Sequence, residues 1–203
     1  MKTIIFDMHG VIMKDPRANF MPFINETFPH KTEEDVVPLW TEAGFGRFTS
    51  LELLMKVGFQ GDVREIEKRY LDTLEIDEGF ISCVECLRSA YRFALLSNDT
   101  SEWSLYIRNK FDLDRFFDAV VISGDVGLMK PDHAIYRLML DKLRQPADEC
   151  VFIDDRVRNL YSAAEVGIET ICFNRSGTKY EGKNVTSFGE LLEILSPKGL
   201  ILC

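Results

Sequence analysis

The sequence predicts an α/β protein with a parallel sheet covered by helices on both faces, into which an all-helical segment is inserted. Two observations predict this class. Short apolar runs rich in β-branched residues alternate with amphipathic helical segments along most of the chain, a pattern typical of parallel sheets. Between residues 15 and 79 the strand-like runs stop and only helical periodicity remains. We therefore assign residues 1–14 and 80–203 to the α/β core and residues 15–79 to a helical cap.

The first predicted strand covers residues 3–6, where the run Thr-Ile-Ile-Phe is apolar and suited to a buried strand. It stops at Asp7, and a turn containing Gly10 follows. Ligands of open α/β sheets bind at the carboxyl ends of the strands. Taken by itself, however, this stretch favours an ordinary turn-capping role for Asp7, which is a common use of aspartate.

The inserted segment predicts about four helices and no strand, broken by Pro29, Pro38, Gly44, Gly46 and Gly58. It holds 7 basic against 14 acidic residues, so the acidic excess indicates a solvated face. Some of its residues are candidates for substrate contact, although cap packing or a solvated face accounts for any single one of them. These candidates are Arg17, Trp40, Phe45, Arg47 and Phe48.

After the insert, helices and strands alternate regularly. The pattern predicts a helix from about residue 78, a strand at 91–96, a helix at 101–110 and a strand at 118–122. Next comes a helix from Pro131 to about Leu143, since proline suits a first helical position. A strand at 150–153, a helix ending at Gly167, a strand at 169–173 and a helix at 188–195 complete the core.

Polar groups follow four of the predicted strands. Asp7, Ser97 with Asn98, and Asp154 with Asp155 stand at strand ends, and Lys130 comes in the segment after the strand at 118–122. Because the carboxyl ends of parallel strands share one edge, these groups can meet. Each one alone has an ordinary explanation as a helix cap or an exposed lysine. Three carboxylates at one edge would repel each other unless cations lay among them. Mg²⁺, which prefers oxygen ligands, together with Lys130 would supply that charge.

These motifs resemble those of the haloacid dehalogenase-like hydrolases, the HAD superfamily. The run Ile4-Ile5-Phe6-Asp7-Met8-His9-Gly10-Val11 resembles the first motif and Leu95-Leu96-Ser97-Asn98 the second. Lys130-Pro131 resembles the third motif, and Phe152-Ile153-Asp154-Asp155 with Asn159 resembles the fourth. The resemblance implies a Rossmann-like core with a helical cap of the first type. The overall pattern is similar to the sugar-phosphatase-like and epoxide-hydrolase N-terminal-like branches.

The resemblance implies a Mg²⁺-dependent phosphatase of small phosphomonoesters such as sugar phosphates. Asp7 would attack phosphorus and form an aspartyl-phosphate. Mg²⁺ would be held by the carboxylates of Asp7 and Asp155, with Asp154 near it, and by the backbone carbonyl of His9. A cap that closes over the site favours a small-molecule phosphorylated substrate.

Further roles come from the same resemblance. The Ser97 hydroxyl and the Asn98 backbone N–H would bind phosphoryl oxygens, and Lys130 would neutralise charge on the phosphate and on Asp7. Asn159 would support the metal ligands.

His9 departs from the family pattern, because phosphatases of the superfamily usually carry a second aspartate two residues after the nucleophile. That aspartate protonates the leaving oxygen and then deprotonates the attacking water. Histidine transfers protons near neutral pH, so His9 is a candidate replacement. The replacement of that aspartate by His9 is equally compatible with a slow enzyme.

Other functions stay open. A dehalogenase would use the same nucleophile without metal, but a metal-free site has little reason to gather Asp154 and Asp155. A regulatory or binding protein that has lost turnover is supported only by His9. A phosphotransferase cannot be separated from a hydrolase by sequence. A response-regulator receiver also combines Asp, Mg²⁺ and Lys-Pro, but it is shorter and carries its phosphorylated aspartate after a middle strand.

The composition and charge of the chain argue against several classes of binding partner. A net charge of −9 argues against a nucleic-acid binder. No stretch approaches a membrane span, and the N-terminal residues do not resemble a targeting segment. Cys83 and Cys86 form a CxxC without a second metal-binding pair, so zinc is disfavoured there. Five cysteines without framework spacing suit the reducing cytoplasm. The oligomeric state is left open.

Overall fold

A computed structural model describes residues 1–14 and 17–196, and the side chains of this range except those of residues 17–19. The chain forms one six-stranded sheet with all neighbouring strands parallel, in the order β3-β2-β1-β4-β5-β6. The strands are β1 (Thr3–Phe6), β2 (Arg92–Ser97), β3 (Ala119–Ile122), β4 (Cys150–Asp154), β5 (Glu169–Phe173) and β6 (Lys183–Val185). The chain moves from β1 outward on one side and then returns to add β4 on the other. The carboxyl end of β1 therefore lies at a topological switch point, where such sheets bind ligands.

Ten α-helices are present in the described residues. The inserted segment contains four of them: α1 (Arg17–Thr27), α2 (Glu33–Gly44), α3 (Ser50–Val57) and α4 (Val63–Asp72). The others are α5 (Glu78–Leu87), α6 (Ser101–Lys110), α7 (Ser123–Val126), α8 (His133–Leu143), α9 (Val157–Glu165) and α10 (Phe188–Leu195). Two single turns of 3₁₀ helix lie at Asp114–Phe116 and Ala147–Glu149. No described helix has the length and apolar character needed to cross a membrane.

The core strands bury both faces of the sheet. On one face, Phe6 packs against Phe80 of α5 and Phe188 of α10, with ring centroids 5.6 and 6.3 Å apart. On the other face, Phe152 packs against Tyr136 of α8 at 5.6 Å. Covering both faces removes the strands from water, which explains why they read as continuous apolar runs. The predicted Rossmann-like α/β fold is confirmed.

The helical insert, defined here as residues 17–72, packs on the core through Trp103 of α6. The Trp103 ring centroid lies 5.5 Å from Phe20, 5.7 Å from Trp40 and 5.0 Å from Tyr70. Its indole N–H donates to Glu67 Oε1 at 2.7 Å, so the one polar atom of a buried ring has a partner. One aromatic cluster thus joins the insert to the sheet domain.

The two connections between core and insert run side by side. Asp77 N–H donates to the Ile12 carbonyl at 2.8 Å, and Met13 and Ile76 form an antiparallel bridge. Arg175, just after β5, donates to the Gly10 carbonyl and to Asp77 Oδ2, both at 2.6 Å. The insert therefore leaves and re-enters the core next to the carboxyl end of β1.

Three local features differ from the sequence prediction. Pro131 does not occupy the first helical position: α8 begins at His133, because Asp132 serves as the N-cap and accepts from Ala134 N–H at 2.8 Å. Strand β6 was not predicted, since only Val185 in it is buried. Ser123 begins the short helix α7 directly after β3.

Four cysteines lie in the described part of the chain, and all are buried and form no disulfide bond: Cys83, Cys86, Cys150 and Cys172. Cys203 lies outside the described residues.

Candidate active site

Asp7 lies at the carboxyl end of β1, and one of its carboxylate oxygens is held in place. Oδ1 accepts from the Met8 backbone N–H at 2.7 Å and lies 2.8 Å from Lys130 Nζ. The Asp7 backbone N–H donates to the Ile153 carbonyl at 2.9 Å, which extends the β1–β4 pairing by one residue. No described residue donates a hydrogen bond to Oδ2. Asp7 is therefore oriented by one oxygen and has the other available in the cavity that it lines.

Lys130 is buried between two carboxylates. Its side chain is 1% exposed, and Nζ lies 2.8 Å from Asp7 Oδ1 and 2.7 Å from Asp154 Oδ2. The side chain of Asn98 fixes the lysine backbone by donating to the Lys130 carbonyl at 2.8 Å and accepting from its N–H at 2.9 Å. Such a buried ammonium is stable because it is paired on both sides. The strand ends of β1, β2 and β4 thus converge on one lysine.

Asp154 accepts several hydrogen bonds in addition to the one from Lys130. Its Oδ1 accepts from the Arg156 backbone N–H at 2.7 Å, and Asn159 Nδ2 lies within 3.1 Å of both carboxylate oxygens. The side chain is fully buried. Asp154 is therefore rigidly positioned at the end of β4, with Asn159 beside it as expected from the sequence.

The carboxylates of Asp7, Asp154 and Asp155 can offer ligand atoms that all lie within 4.8 Å of one another. Three carboxylates meet one ammonium here, which leaves an excess of negative charge in a buried place. A hard divalent cation with oxygen ligands fits both the donor set and the charge. The residues present therefore suit Mg²⁺.

The electrostatics of the buried groups agree with that excess. The pKa of Asp7 is raised to about 7: burial is the largest cause, the Lys130 ammonium opposes the rise, and Asp154 and Asp155 add to it. Burial by itself would lower the pKa of Lys130, but Asp154 and Asp7 raise it above its ordinary value. The lysine is thus held in its charged form, and a cation near Asp7 would favour the carboxylate form that a nucleophile needs.

His9 is paired with the carboxylate of Asp99, a residue for which the sequence predicted no role at the site. His9 Nε2 lies 2.9 Å from Oδ2 of Asp99. Asp99 is fully buried, while the His9 side chain is 13% exposed. Thr100, not Asp99, caps α6, because its hydroxyl accepts from Trp103 N–H. The spacing of 90 residues between His9 and Asp99 carried no signal of this contact.

Ser97 lies at the end of β2 and is fully buried. Its hydroxyl has no hydrogen-bond partner among the described residues. An unsatisfied buried hydroxyl costs free energy, so this position is suited to a group that arrives with a ligand. Binding of a phosphoryl oxygen by the Ser97 hydroxyl stays a prediction.

A cavity of about 490 Å³ opens over Asp7, within the range of small-molecule sites. The core contributes His9, Asn98, Met129, Lys130, Arg156, Arg158 and Asn159, and α2 of the insert contributes Glu33, Val37, Trp40, Thr41 and Gly44. The α2 residues recur at helical spacing and form one face. Trp40 is the one predicted insert candidate in the wall. Phe45, Arg47 and Phe48 do not line it, and the Arg17 side chain lies outside the described part of the chain.

Comparison with known proteins identifies the family of this chain. A family model described as haloacid dehalogenase-like hydrolase matches residues 1–167. A phosphorylated carbohydrates phosphatase from Thermotoga maritima is 27% identical over 183 residues, covering 84% of this chain and 84% of the relative. Some curated relatives are much longer: the chain spans 34% of the drimenol cyclase drtB of Aspergillus calidoustus, at 22% identity over 183 residues.

Solved structures share the fold. A predicted HAD-like family hydrolase from Porphyromonas gingivalis superposes with a TM-score of 0.77 at 25% identity, covering 97% of this chain and 98% of that one. A HAD family enzyme from Bacteroides thetaiotaomicron, in complex with magnesium and inorganic phosphate, gives a TM-score of 0.76 at 20% identity over 89% of this chain and 98% of that one. With the parallel sheet and the strand-end carboxylates, the family match over residues 1–167 leads to one conclusion: this chain belongs to the haloacid dehalogenase-like hydrolases.

Proposed function

We propose that this hydrolase is a Mg²⁺-dependent phosphatase that hydrolyses small phosphomonoesters through an aspartyl-phosphate on Asp7. One observation carries the proposal: Asp7, Lys130 and the Asp154–Asp155 pair converge beneath a cavity of small-molecule size. The T. maritima relative is named a phosphatase of phosphorylated carbohydrates, and the B. thetaiotaomicron structure holds magnesium and phosphate. Both facts support this reaction class.

In the first step, Asp7 Oδ2 attacks phosphorus while Lys130 holds Oδ1. The Asp7–phosphorus bond forms and the ester phosphorus–oxygen bond breaks. The leaving oxygen takes a proton from His9, which occupies the place of the aspartate usual in related phosphatases. The Ser97 hydroxyl and the Asn98 backbone N–H bind the phosphoryl oxygens, and Lys130 offsets their charge.

In the second step, His9 takes a proton from water as the water oxygen attacks phosphorus. The Asp7–phosphorus bond breaks, which releases inorganic phosphate and restores both residues. The His9 imidazole thus donates a proton in the first step and accepts one in the second.

Asp7 and Asp155 would hold Mg²⁺ together with the backbone carbonyl of His9. The bound ion supplies charge for the phosphoryl oxygens and for the nucleophile. Asp154 already accepts from Lys130, Asn159 and the Arg156 amide. We therefore assign it to orienting Lys130 beside the metal site.

The helical insert acts in this proposal as the cap, with α2 over the leaving group. The α2 wall presents Glu33, Trp40 and Thr41 to the cavity, a mixture of aromatic and hydrogen-bonding groups that suits a hydroxylated leaving group such as a sugar. The boundaries at residues 15–79 and a cytoplasmic location stay predictions.

The direct test is a panel of alkyl, sugar and aryl phosphates assayed with and without Mg²⁺. We expect phosphate release that requires Mg²⁺ and stops on chelation. Mg²⁺ should also raise the melting temperature of the wild type, but not that of Asp155→Asn, because that variant lacks one ligand. Asp148→Asn, an exposed aspartate at the opposite edge of the sheet, should behave as wild type.

Three results of the panel would redirect the assignment. Halide release from haloacids without metal would indicate a dehalogenase. Transfer of phosphate to an added alcohol, in place of water, would indicate a phosphotransferase. Inactivity on every ester, together with an unchanged melting temperature in Mg²⁺, would contradict the proposal.

Replacement of His9 tests the proton-transfer role. We expect His9→Gln to lower kcat on alkyl phosphates by about 10²–10⁴-fold, since glutamine donates to Asp99 but transfers no proton at neutral pH. His9→Asp should retain turnover. The matched control is His133→Gln, which removes a partly exposed histidine that lies 2.8 Å from Glu165 outside the cavity. A wild type that is inactive while His9→Asp is active would identify a protein that has lost turnover.

A further inference from the structure

The pairing of His9 with Asp99 is unexplained by the mechanism above, which uses only the imidazole. We propose that Asp99 is a positioning residue that holds the His9 ring in one orientation, with Nε2–H bonded to Asp99, while His9 transfers protons to the leaving oxygen and from water. This inference rests on the proposed function and deepens it. It adds a further acidic residue, from the loop after β2, to the machinery around the nucleophile.

Both oxygens of the Asp99 carboxylate are engaged. Oδ2 lies 2.9 Å from His9 Nε2, and Oδ1 accepts from the Thr100 backbone N–H at 2.8 Å. The side chain is completely buried. A rotation of the carboxylate would break at least one of these bonds in a place that water does not reach. The acceptor that faces His9 is therefore fixed in direction.

The backbone of Asp99 is fixed as well. Its N–H donates to Ser123 Oγ at 3.0 Å, and its carbonyl accepts from Gly124 N–H at 3.0 Å. Ser123 Oγ in turn lies 2.5 Å from the Gly44 carbonyl at the end of α2. Asp99 is thus held by the start of α7, at the point where the helical insert contacts the core. Hydrogen bonds thus fix both the side chain and the backbone of Asp99. Such a residue can position the His9 ring accurately, which matters because catalytic geometry tolerates only small displacements.

A carboxylate that is hydrogen-bonded to one nitrogen of an imidazole determines that this nitrogen carries a hydrogen. Because a carboxylate only accepts, the Nε2 atom that faces Asp99 carries the hydrogen. In that tautomer the second ring nitrogen is the basic one. A partner of this kind orients a catalytic imidazole and stabilises the imidazolium that forms during turnover. Asp99 would therefore compensate for the absence of the usual second aspartate at position 9.

The first experiment observes the tautomer in wild-type protein by ¹⁵N NMR of the histidine side chains. Of the three histidines in the chain, His9 is assigned from the signals lost in His9→Gln. We expect Nε2 to carry a hydrogen that exchanges slowly with solvent, in the neutral ring and in the imidazolium alike. A neutral ring with its hydrogen on Nδ1, or an Nε2–H that exchanges freely with solvent, would overturn the inference whether or not the protein has activity.

The second experiment is a double-mutant cycle with Asp99→Asn, His9→Gln and the combined variant. The substrates are an alkyl phosphate and p-nitrophenyl phosphate, whose leaving group needs no proton. For Asp99→Asn we expect kcat/KM on the alkyl ester to fall on the order of 10²-fold with KM little changed. The aryl ester should change far less. In the His9→Gln background, Asp99→Asn should have no further effect.

The outcomes separate the two proposals. An equal loss from Asp99→Asn in the wild-type and His9→Gln backgrounds would show that Asp99 acts independently of His9, which overturns the inference and leaves the phosphatase intact. Equal losses of kcat/KM on the alkyl and aryl esters in Asp99→Asn would also overturn the inference and leave the phosphatase intact. A wild type that hydrolyses no ester removes the proposed function and the proton-transfer role with it. Ser123→Ala serves as a control for loosening of the Asp99 backbone and should give a smaller, partial loss.

Discussion

Asp7→Asn is expected to release no measurable phosphate from any ester that the wild type hydrolyses. The asparagine amide cannot form the acyl-phosphate bond, and it removes one carboxylate from the metal site. Removal of a nucleophile costs up to about 10⁶-fold in kcat in well-studied hydrolases, so a fall of at least about 10³-fold should be measurable here. The assay is phosphate release in Mg²⁺ over the ester panel.

The fold should survive this change. Asparagine has nearly the shape of aspartate, and Lys130 keeps its 2.7 Å contact with Asp154. The melting temperature without Mg²⁺ should therefore stay close to that of the wild type. Asp125→Asn, at an exposed position in α7 near the same sheet edge, is the matched control and should retain full activity. Residual turnover by Asp7→Asn within tenfold of the wild type would exclude Asp7 as the nucleophile.

Lys130→Met should cause the largest loss of stability of any single change at the site. The variant leaves Asp7 and Asp154 buried and facing one another without the ammonium that lies 2.8 and 2.7 Å from them. Breaking a buried ion pair in this way costs about 3–5 kcal/mol. Urea unfolding followed by circular dichroism measures the change in the free energy of unfolding. Turnover should fall by about 10²–10³-fold as well, because the phosphoryl oxygens lose a fixed cation.

The matched control is Lys68→Met. Lys68 also pairs with an aspartate, Asp72 at 2.6 Å, but its side chain is 59% exposed. Surface pairs of this kind contribute little, so the free energy of unfolding should hardly change. Added Mg²⁺ should recover part of the stability of Lys130→Met, since a bound cation restores positive charge among the carboxylates. Equal stabilities for the two methionine variants would contradict the buried-pair interpretation.

Much of the site could be predicted because strand ends are easy to locate. The apolar run before Asp7 stops abruptly, and so does the run before Asp154. Parallel strands place both ends at one edge, which is enough to predict that two carboxylates meet. Lys130 follows its predicted strand only after several residues; chain order predicts it at the same edge, and the resemblance of Lys130-Pro131 to a family motif supports that position. The structure adds that Asn98 fixes the backbone of this lysine by two hydrogen bonds.

Other parts of the site had no signal along the chain. Glu33, Val37 and Thr41 form one face of α2, but periodicity cannot say whether that face meets solvent, the core or a cavity. The sequence candidates Phe45, Arg47 and Phe48 lie close by in the chain and outside the cavity wall. Their positions depend on how the insert docks, and that docking is decided by contacts of Trp103 with residues 33 to 83 positions away in the chain.

Hydrophobic period, chain order and strand termination are local properties, so the α/β class, the four inserted helices and the residues at the strand ends can be predicted from the order of amino acids. Which of those residues pair depends on the packed fold. It placed Lys130 between Asp7 and Asp154, and it placed His9 against Asp99 at 2.9 Å. A hydrogen bond needs two side chains to agree in position and direction to within a fraction of an ångström, and only the packed fold sets both for residues that are 90 positions apart.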